Sequence, residues 1–181
     1  MVDDSLKGRL LVALPPLVDA NFNRTVVLVL AHAGYGALGV VLNRPGMTPT
    51  NEVFPHLDFV TEPDVVFSGG PVEPDGIICL AAGTVARGTE GFSPVLDEIG
   101  SLDPRRSAPD GVHAVRVFRG YAQWGAGQLE GELETEAWLS FPATVSDAFT
   151  REPNALWPAV LRRQGSRYAQ LANYPRDPSL N

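Results

Sequence analysis

The 181-residue chain carries a formal net charge of −7, with 21 acidic against 14 basic side chains, and 44% of it is hydrophobic. That composition excludes a disordered chain, and its acidity disfavours binding to phosphate backbones and anionic membrane surfaces. A single cysteine, Cys79, excludes an internal disulfide, and no apolar run approaches the length of a membrane span.

The head, MVDDSLKG (1–8), has no apolar stretch of the kind a secretory signal needs, which points to the cytoplasm. RLLVAL (9–14) reads as a first strand that Pro15-Pro16 stops, because proline cannot donate to a sheet ladder. RTVVLVLAH (24–32) is β-branched and almost continuously apolar, the pattern of a central strand covered on both faces. GVVLN (39–43) is a third strand, closed by Arg44-Pro45. VVFSGGP (65–71), GIICLAA (76–82) and VHAVRVF (112–118) add three more, and AWLSFPA (137–143) a seventh. Short helices are expected near 50–55 and 94–100.

GQLEGELETE (127–136) reads as a helix with Leu129 and Leu133 on one face and glutamates around the rest. Asn154 is the expected cap of a second amphipathic helix, ALWPAVLRRQ (155–164), ended by Arg162, Arg163 and Gly165. Strands joined by connections too short for crossovers imply an α+β class with a mainly antiparallel or mixed sheet. Linkers, repeats and low-complexity blocks are absent, so one domain is expected across 1–181, with its core at about 8–165 and a tail at 166–181.

Gly34-Tyr35-Gly36-Ala37-Leu38-Gly39 is a literal G-x-G-x-x-G. A dinucleotide fingerprint requires a helix after its last glycine, whose N–H groups hold the pyrophosphate. Here Val40-Val41-Leu42-Asn43-Arg44-Pro45 follows, which is strand and then stop. The glycines therefore read as a hairpin turn, and no nucleotide cofactor is expected.

Three dispersed histidines, His32, His56 and His113, have no metal-ligand spacing, so no metal is expected. Cys79 lies among apolar neighbours and reads as a buried small hydrophobe. The acidic run Glu130, Glu132, Glu134 and Glu136 reads as a solvated helix face, with Glu130 and Glu134 repelling one another. YAQWGAGQLEGEL (121–133) places Tyr121 and Trp124 beside glycines at a helix start, which offers a stacking surface or simply a lid on the core. NRP (43–45) sets Arg44 at a strand end, where it can meet an acid or a phosphate. GGP (69–71) permits close backbone approach.

Taken in order, LLVALPPLVDANFNRTVVLVLAHAGYGALGVVLNRP, FSGGPVEPDGIICL, RVFRGYAQWGAGQLEGELETEAWLSFPA and LWPAVLRRQG resemble the YqgE/AlgH family of small bacterial proteins. The resemblance runs over about residues 8–165, and the ending LANYPRDPSLN is similar to that of actinobacterial members. It implies a bifurcated, mainly antiparallel sheet folded into a pseudo-barrel with peripheral helices. The family's motif positions fall here on Asn21, Phe22, Arg24, His32, Asn43, Arg44, Gly69, Gly70, Pro71, Gly120, Tyr121, Trp124, Gly127 and Gln128. The resemblance attaches no catalytic role to any of them. Its members commonly carry charged residues where this chain has AGYG, in keeping with a turn rather than a cofactor loop.

The leading expectation is a cytoplasmic binding or regulatory module acting through a small molecule or a protein partner. Its candidate site is drawn from Asn21, Arg24, His32, Asn43, Arg44, Gly69, Gly70, Tyr121, Trp124, Gly127 and Gln128. The alternative is an enzyme in which His32, Asn43, Arg44, Tyr121 and Gln128 share one cleft. A transcriptional regulator, the label some family members carry, comes third, because direct specific DNA binding fits poorly with the acidic balance. The sequence leaves ligand and oligomeric state open.

Overall fold

A computed structural model of the chain describes residues 5–15 and 19–175. The first half of the head, Pro16 of the expected strand stop and the end of the tail lie outside the described residues. Ten strands are present among them: β1 (Arg9–Ala13), β2 (Val26–Ala33), β3 (Gly36–Val41), β4 (Pro45–Pro49), β5 (Val65–Ser68), β6 (Val72–Gly83), β7 (Phe92–Leu96), β8 (Ile99–Leu102), β9 (Val112–Gly125) and β10 (Trp138–Pro142). The helices are α1 (Thr50–Val53), α2 (Gln128–Glu134), α3 (Val145–Ala148), α4 (Leu156–Arg163) and α5 (Ser166–Ala169). Short 3-10 turns cover Pro153–Ala155 and Leu171–Asn173.

The strands form one sheet in the order β10-β1-β2-β3-β9-β6-β8-β7, and β5 branches from β9 carrying β4. Between named strands every pairing is antiparallel except β5–β9, which sets Phe67 against Phe118 and Ser68 against Arg119 in parallel. The sheet curls until its far edge meets the start of β1, where Lys7 Nζ donates to the Pro94 carbonyl at 3.1 Å. The result is an α+β half-barrel with peripheral helices.

Strand β2 shows why the sequence folds this way. Val26, Leu28 and Leu30 enter the main core cluster, while Val27 and Val29 enter a second cluster on the opposite face. A strand buried on both faces has no use for polar alternation, and each such side chain contributes about 1.5–3 kcal/mol on leaving water. The main cluster is capped by α4, whose Leu156, Trp157, Val160 and Leu161 face inward. The Trp157 indole N–H donates to the Ala13 carbonyl at 2.8 Å, which ties the helix to β1. A capping box at Thr144 and Asp147 starts α3, and Arg163 of α4 grips the same Asp147 carboxylate at 2.6 and 2.8 Å.

Several sequence expectations need correction. Residues 94–100 are not helical; they belong to the β7–β8 hairpin, turned by Asp97 at φ 43°. Pro94 is tolerated because β7 is an edge strand, and Gly100 leaves room for the Phe92 ring. Asn154 does not cap α4; it sits inside the 3-10 turn that Pro153 begins, and Ala155 precedes the helix. The segment VVFSGGP is strand only as far as Ser68.

The strand expected at 112–118 continues to Gly125, so YAQWG is strand rather than turn, paired along β3 through Ala37↔Trp124 and Gly39↔Ala122. It survives Gly120 because that residue takes φ 70°, a kink that only glycine accepts freely. The acidic helix face is also not simply solvated: Glu132 accepts from two indoles and Glu130 pairs with His32. The glycine hairpin between β2 and β3 forms as expected, with positive φ at Gly36, where a side chain would strike the Trp124 carbonyl.

Candidate functional site

The expected site residues separate into three places. Arg24, Asn43 and Arg44 line a cleft of about 230 Å³ together with Asn23, Asn154, Trp157 and Pro158. Its polar groups are largely committed. Asn43 accepts from the Val26 N–H and donates to the Arg24 carbonyl, both at 2.9 Å. The Arg44 guanidinium donates to the carbonyls of Ala20, Asn21 and Asn23. Burial lowers its pKa, and Asp19 opposes that shift. Arg24, itself at φ 55°, lies 4.0 Å over the Trp157 ring and donates to the Tyr174 carbonyl at 2.7 Å. Asn21 enters through its backbone carbonyl. NRP thus holds the 19–25 loop in place.

His32, Trp124, Gly127 and Gln128 meet on the second cluster, around α2. Glu132 is the hub: one oxygen accepts from the indoles of Trp124 at 2.9 Å and Trp138 at 2.7 Å, and the other accepts from Gln128 at 3.0 Å. Phe22 stacks on Trp124 and meets Trp138 edge-on. Trp124 is only 4% exposed, so a ligand reaches it only by displacing these neighbours. Gly127 supplies a left-handed residue ahead of α2, and Gln128 folds back to accept from the Gly125 N–H at 3.0 Å. Glu130 is not merely solvated but pairs with His32 Nε2 at 2.7 Å. Its own backbone N–H first, and the His32 ring second, hold its carboxyl below the usual carboxylate range.

Gly69, Gly70 and Gly120 build the third place, where the sheet divides. At Gly69 an added Cβ would strike the Gly120 carbonyl, at Gly70 the Tyr121 backbone, and at Gly120 the Gly70 carbonyl. Two backbones therefore pass in direct contact, and no side chain fits between them. Beside them β6 pairs Val72 with Tyr121 and then Ile77 with Arg119, so residues 73–76 loop outward. Tyr121 turns toward the main core. Partial desolvation first, and the hydrogen-bonded Glu73 carboxylate second, raise its phenol above the ordinary range.

The opening left by this division is a cleft of about 220 Å³ lined by Gly46, Met47, Thr48, Val66, Phe67, Ser68, Gly70, Pro74 and Arg119. On the β4 side, Gly46, Met47 and Thr48 lie between the paired residues Pro45 and Pro49, where the register shifts. The Arg119 guanidinium and the hydroxyls of Ser68 and Thr48 have no side-chain partner among the described residues. Behind Phe67 lies a second guanidinium. Arg116, 1% exposed, sits 4.4 Å from the Phe67 ring and donates to the carbonyls of Thr61, Glu62, Ala148 and Thr150. Burial lowers its pKa to about 10, so it remains a cation at neutral pH, and none of its hydrogen bonds is to a carboxylate.

Arg119, Arg116, Ser68 and Thr48 were absent from the sequence-derived candidates. The signal for Arg119 was its place beside Gly120, in a strand whose neighbouring inward positions are apolar. Among the described residues no group of three or more His, Cys, Asp or Glu is placed to hold a metal ion. Cys79 is buried, which pushes its thiol up to about 12. No helix of the described residues is long and apolar enough to cross a membrane.

Comparison with known proteins agrees with this architecture. The model of the AlgH-like family matches residues 10–169. A UPF0301 protein of Streptomyces coelicolor is 46% identical over 186 residues, covering 98% of this chain and 96% of its own. One from Mycolicibacterium smegmatis is 39% identical over 182 residues, with 96% and 90% covered. Among solved structures, a Corynebacterium diphtheriae protein superposes with a TM-score of 0.87 at 26% identity, covering 95% of this chain and 94% of that one. The solution structure of the AlgH protein from Pseudomonas aeruginosa superposes with a TM-score of 0.69 at 28% identity, with 97% of each chain covered. Matched through nearly the whole sheet and at both divided edges, the chain belongs to the AlgH-like family.

Proposed function

We propose that the protein is a binding module, working in the cytoplasm, that takes up a ligand with an anionic group, a carboxylate or a phosphate, in the glycine-walled cleft. The observation that carries this reading is the unspent guanidinium of Arg119 beside the unspent hydroxyls of Ser68 and Thr48. A guanidinium fork with adjacent hydroxyls matches the oxygens of such a group. Arg116 adds positive potential from behind the Phe67 ring, where water screens it little. Met47, 95% exposed at the rim, favours an apolar portion next to the anion, as in a small organic acid or an acidic peptide. Binding is preferred to catalysis because Ser68 has no base hydrogen-bonded to it among the described residues, and His32 and Gln128 stand with α2 rather than in this cleft. A regulatory role would then follow from ligand uptake rather than from direct contact with DNA, which the charge of −7 disfavours.

Thermal unfolding with inorganic phosphate and with acetate tests the reading, because a ligand of the native state raises the melting temperature by mass action. At constant ionic strength, the expected outcome is a saturable rise in the intact protein and none in Arg119→Ala. An equal rise in both proteins, or no rise in either, would contradict it.

A further inference from the structure

His32 holds two elements at once. Its Nδ1 lies 3.0 Å from the Leu6 backbone N–H, and its Nε2 lies 2.7 Å from Glu130 Oε1. A backbone N–H can only donate, so Nδ1 must offer its lone pair, and the ring proton must sit on Nε2. The neutral ring in that one tautomer satisfies both bonds.

We infer that His32 is a proton-operated latch: neutral, it clasps the Leu6 segment to the sheet; protonated, it keeps α2 and releases that segment. A proton added at Nδ1 sets one N–H against another, so the Leu6 bond is lost. The same proton turns the Nε2–Glu130 bond into an ion pair, which strengthens. Protonation therefore redistributes what the ring holds instead of simply weakening it.

The released segment sits at the seam of the half-barrel. Leu6 packs on the second core cluster, Lys7 Nζ donates to the Pro94 carbonyl of β7, and the Gly8 N–H donates to the Val29 carbonyl at 2.8 Å. Loosening Leu6 thus frees the contact between β7, one edge of the sheet, and the segment that leads into β1. Among the described residues the ionisable groups around the ring are few. Glu130 faces it from α2, while Glu132 is turned to the two indoles. Lys7 lies on the segment itself but points to Pro94. Strand β3 contributes Gly36, Ala37 and Leu38 beside it, and β9 contributes Gln123, Trp124 and Gly125 beyond, none of them charged. The inference is independent of the proposed anion cleft, whose lining includes none of these residues.

Nuclear magnetic resonance on the full chain tests it directly. Long-range proton–nitrogen correlations at about pH 8 report the His32 tautomer, expected to carry its proton on Nε2. Amide exchange, corrected for its intrinsic pH dependence, should show Leu6 protection falling about tenfold on acidification from about pH 8 to about pH 5, while Leu28 stays protected. In His32→Asn the carboxamide oxygen replaces Nδ1 as acceptor and does not titrate, so Leu6 protection should stay flat. Should that variant fail to fold, the Leu133 amide of α2 in the intact chain is the second readout: it should stay protected on acidification while Leu6 protection falls. A proton found on Nδ1 at about pH 8, constant Leu6 protection on acidification, the same fall in His32→Asn, or a loss at Leu133 as large as that at Leu6 would each overturn the latch.

Discussion

Two of the protein's arginine-bearing clefts, similar in size, differ in how their guanidiniums are held. In the cleft around Arg24 and Arg44, backbone carbonyls and the Trp157 ring take up the guanidiniums, and Asn43 is held by Val26 and Arg24. In the glycine-walled cleft, Arg119 and two hydroxyls face the opening without partners among the described residues. The first arrangement spends its charge on fixing the 19–25 loop. The second leaves its charge available, and the fold holds it in place with backbone contacts that no side chain could replace. A recognisable motif can therefore be architecture, as NRP is, while the reactive potential lies in a residue that the motif only supports.

The comparison makes predictions of graded size. The largest effect belongs to the glycine wall. Gly70→Val or Gly120→Val forces a side chain into the facing backbone, and Gly120 also carries φ 70°. Urea unfolding should show a loss of about 3 kcal/mol or more, or no folded protein at all. A mild effect at both positions would mean that the two backbones part easily and that the cleft has no rigid wall. Next comes Arg44→Ala, which removes donors from three carbonyls and should cost about 2 kcal/mol. Its fractional response to phosphate should equal that of the intact protein, and a lost response would move the binding role to the first cleft.

A smaller effect separates the two guanidiniums near the glycine wall. Burial lowers Arg116 to about 10, so its charge disappears as pH rises through that value. Phosphate affinity measured by calorimetry should fall about two- to threefold over that rise. The stability effect has the opposite direction. The folded guanidinium loses its proton before the unfolded one does, so the unfolded chain binds more protons above about pH 10, and this group's contribution to stability grows there. An affinity that holds constant through pH 10 would remove Arg116 from the account. The smallest stability effect is expected for Arg119→Ala, within about 0.5 kcal/mol, because the side chain is exposed and has no side-chain partner among the described residues. A large loss of stability would show that Arg119 is structural after all.

How much of this was legible in the sequence depends on how local the cause is. Strand β2 was readable because burial on both faces writes itself as an unbroken apolar run, Val26 to Leu30. The glycine hairpin was readable because the valines after Gly39 rule out a helix. Strand β4 was not, since Pro45 and Pro49 bound it and Gly46 and Met47 are exposed, a composition that reads as loop. The β7–β8 hairpin was misread because Pro94 and the acidic pair Asp97-Glu98 obscure the alternation around them. The extension of β9 carried a usable signal, with Ala122 and Trp124 buried and Gln123 exposed between them.

For the candidate site, the NRP and GGP stretches pointed to Arg44, Gly69 and Gly70 but not to the difference between supporting a cleft and lining it. That difference lies in whether a guanidinium has found carbonyls. It depends on Ala20, Asn21 and Asn23 for Arg44, and on Ser68 and Thr48 leaving room around Arg119. These are tertiary facts with no pattern of spacing to announce them.

The central claim is that the free charge, not the motif charge, meets the ligand. Titration of isotope-labelled protein with inorganic phosphate, followed residue by residue through amide and guanidinium resonances, tests it most directly. The account predicts saturable shifts at Ser68, Gly70 and the Arg119 side chain, all abolished in Arg119→Ala. Saturable shifts at Asn23, Arg24 and Arg44 instead, or no saturable shift anywhere, would contradict it.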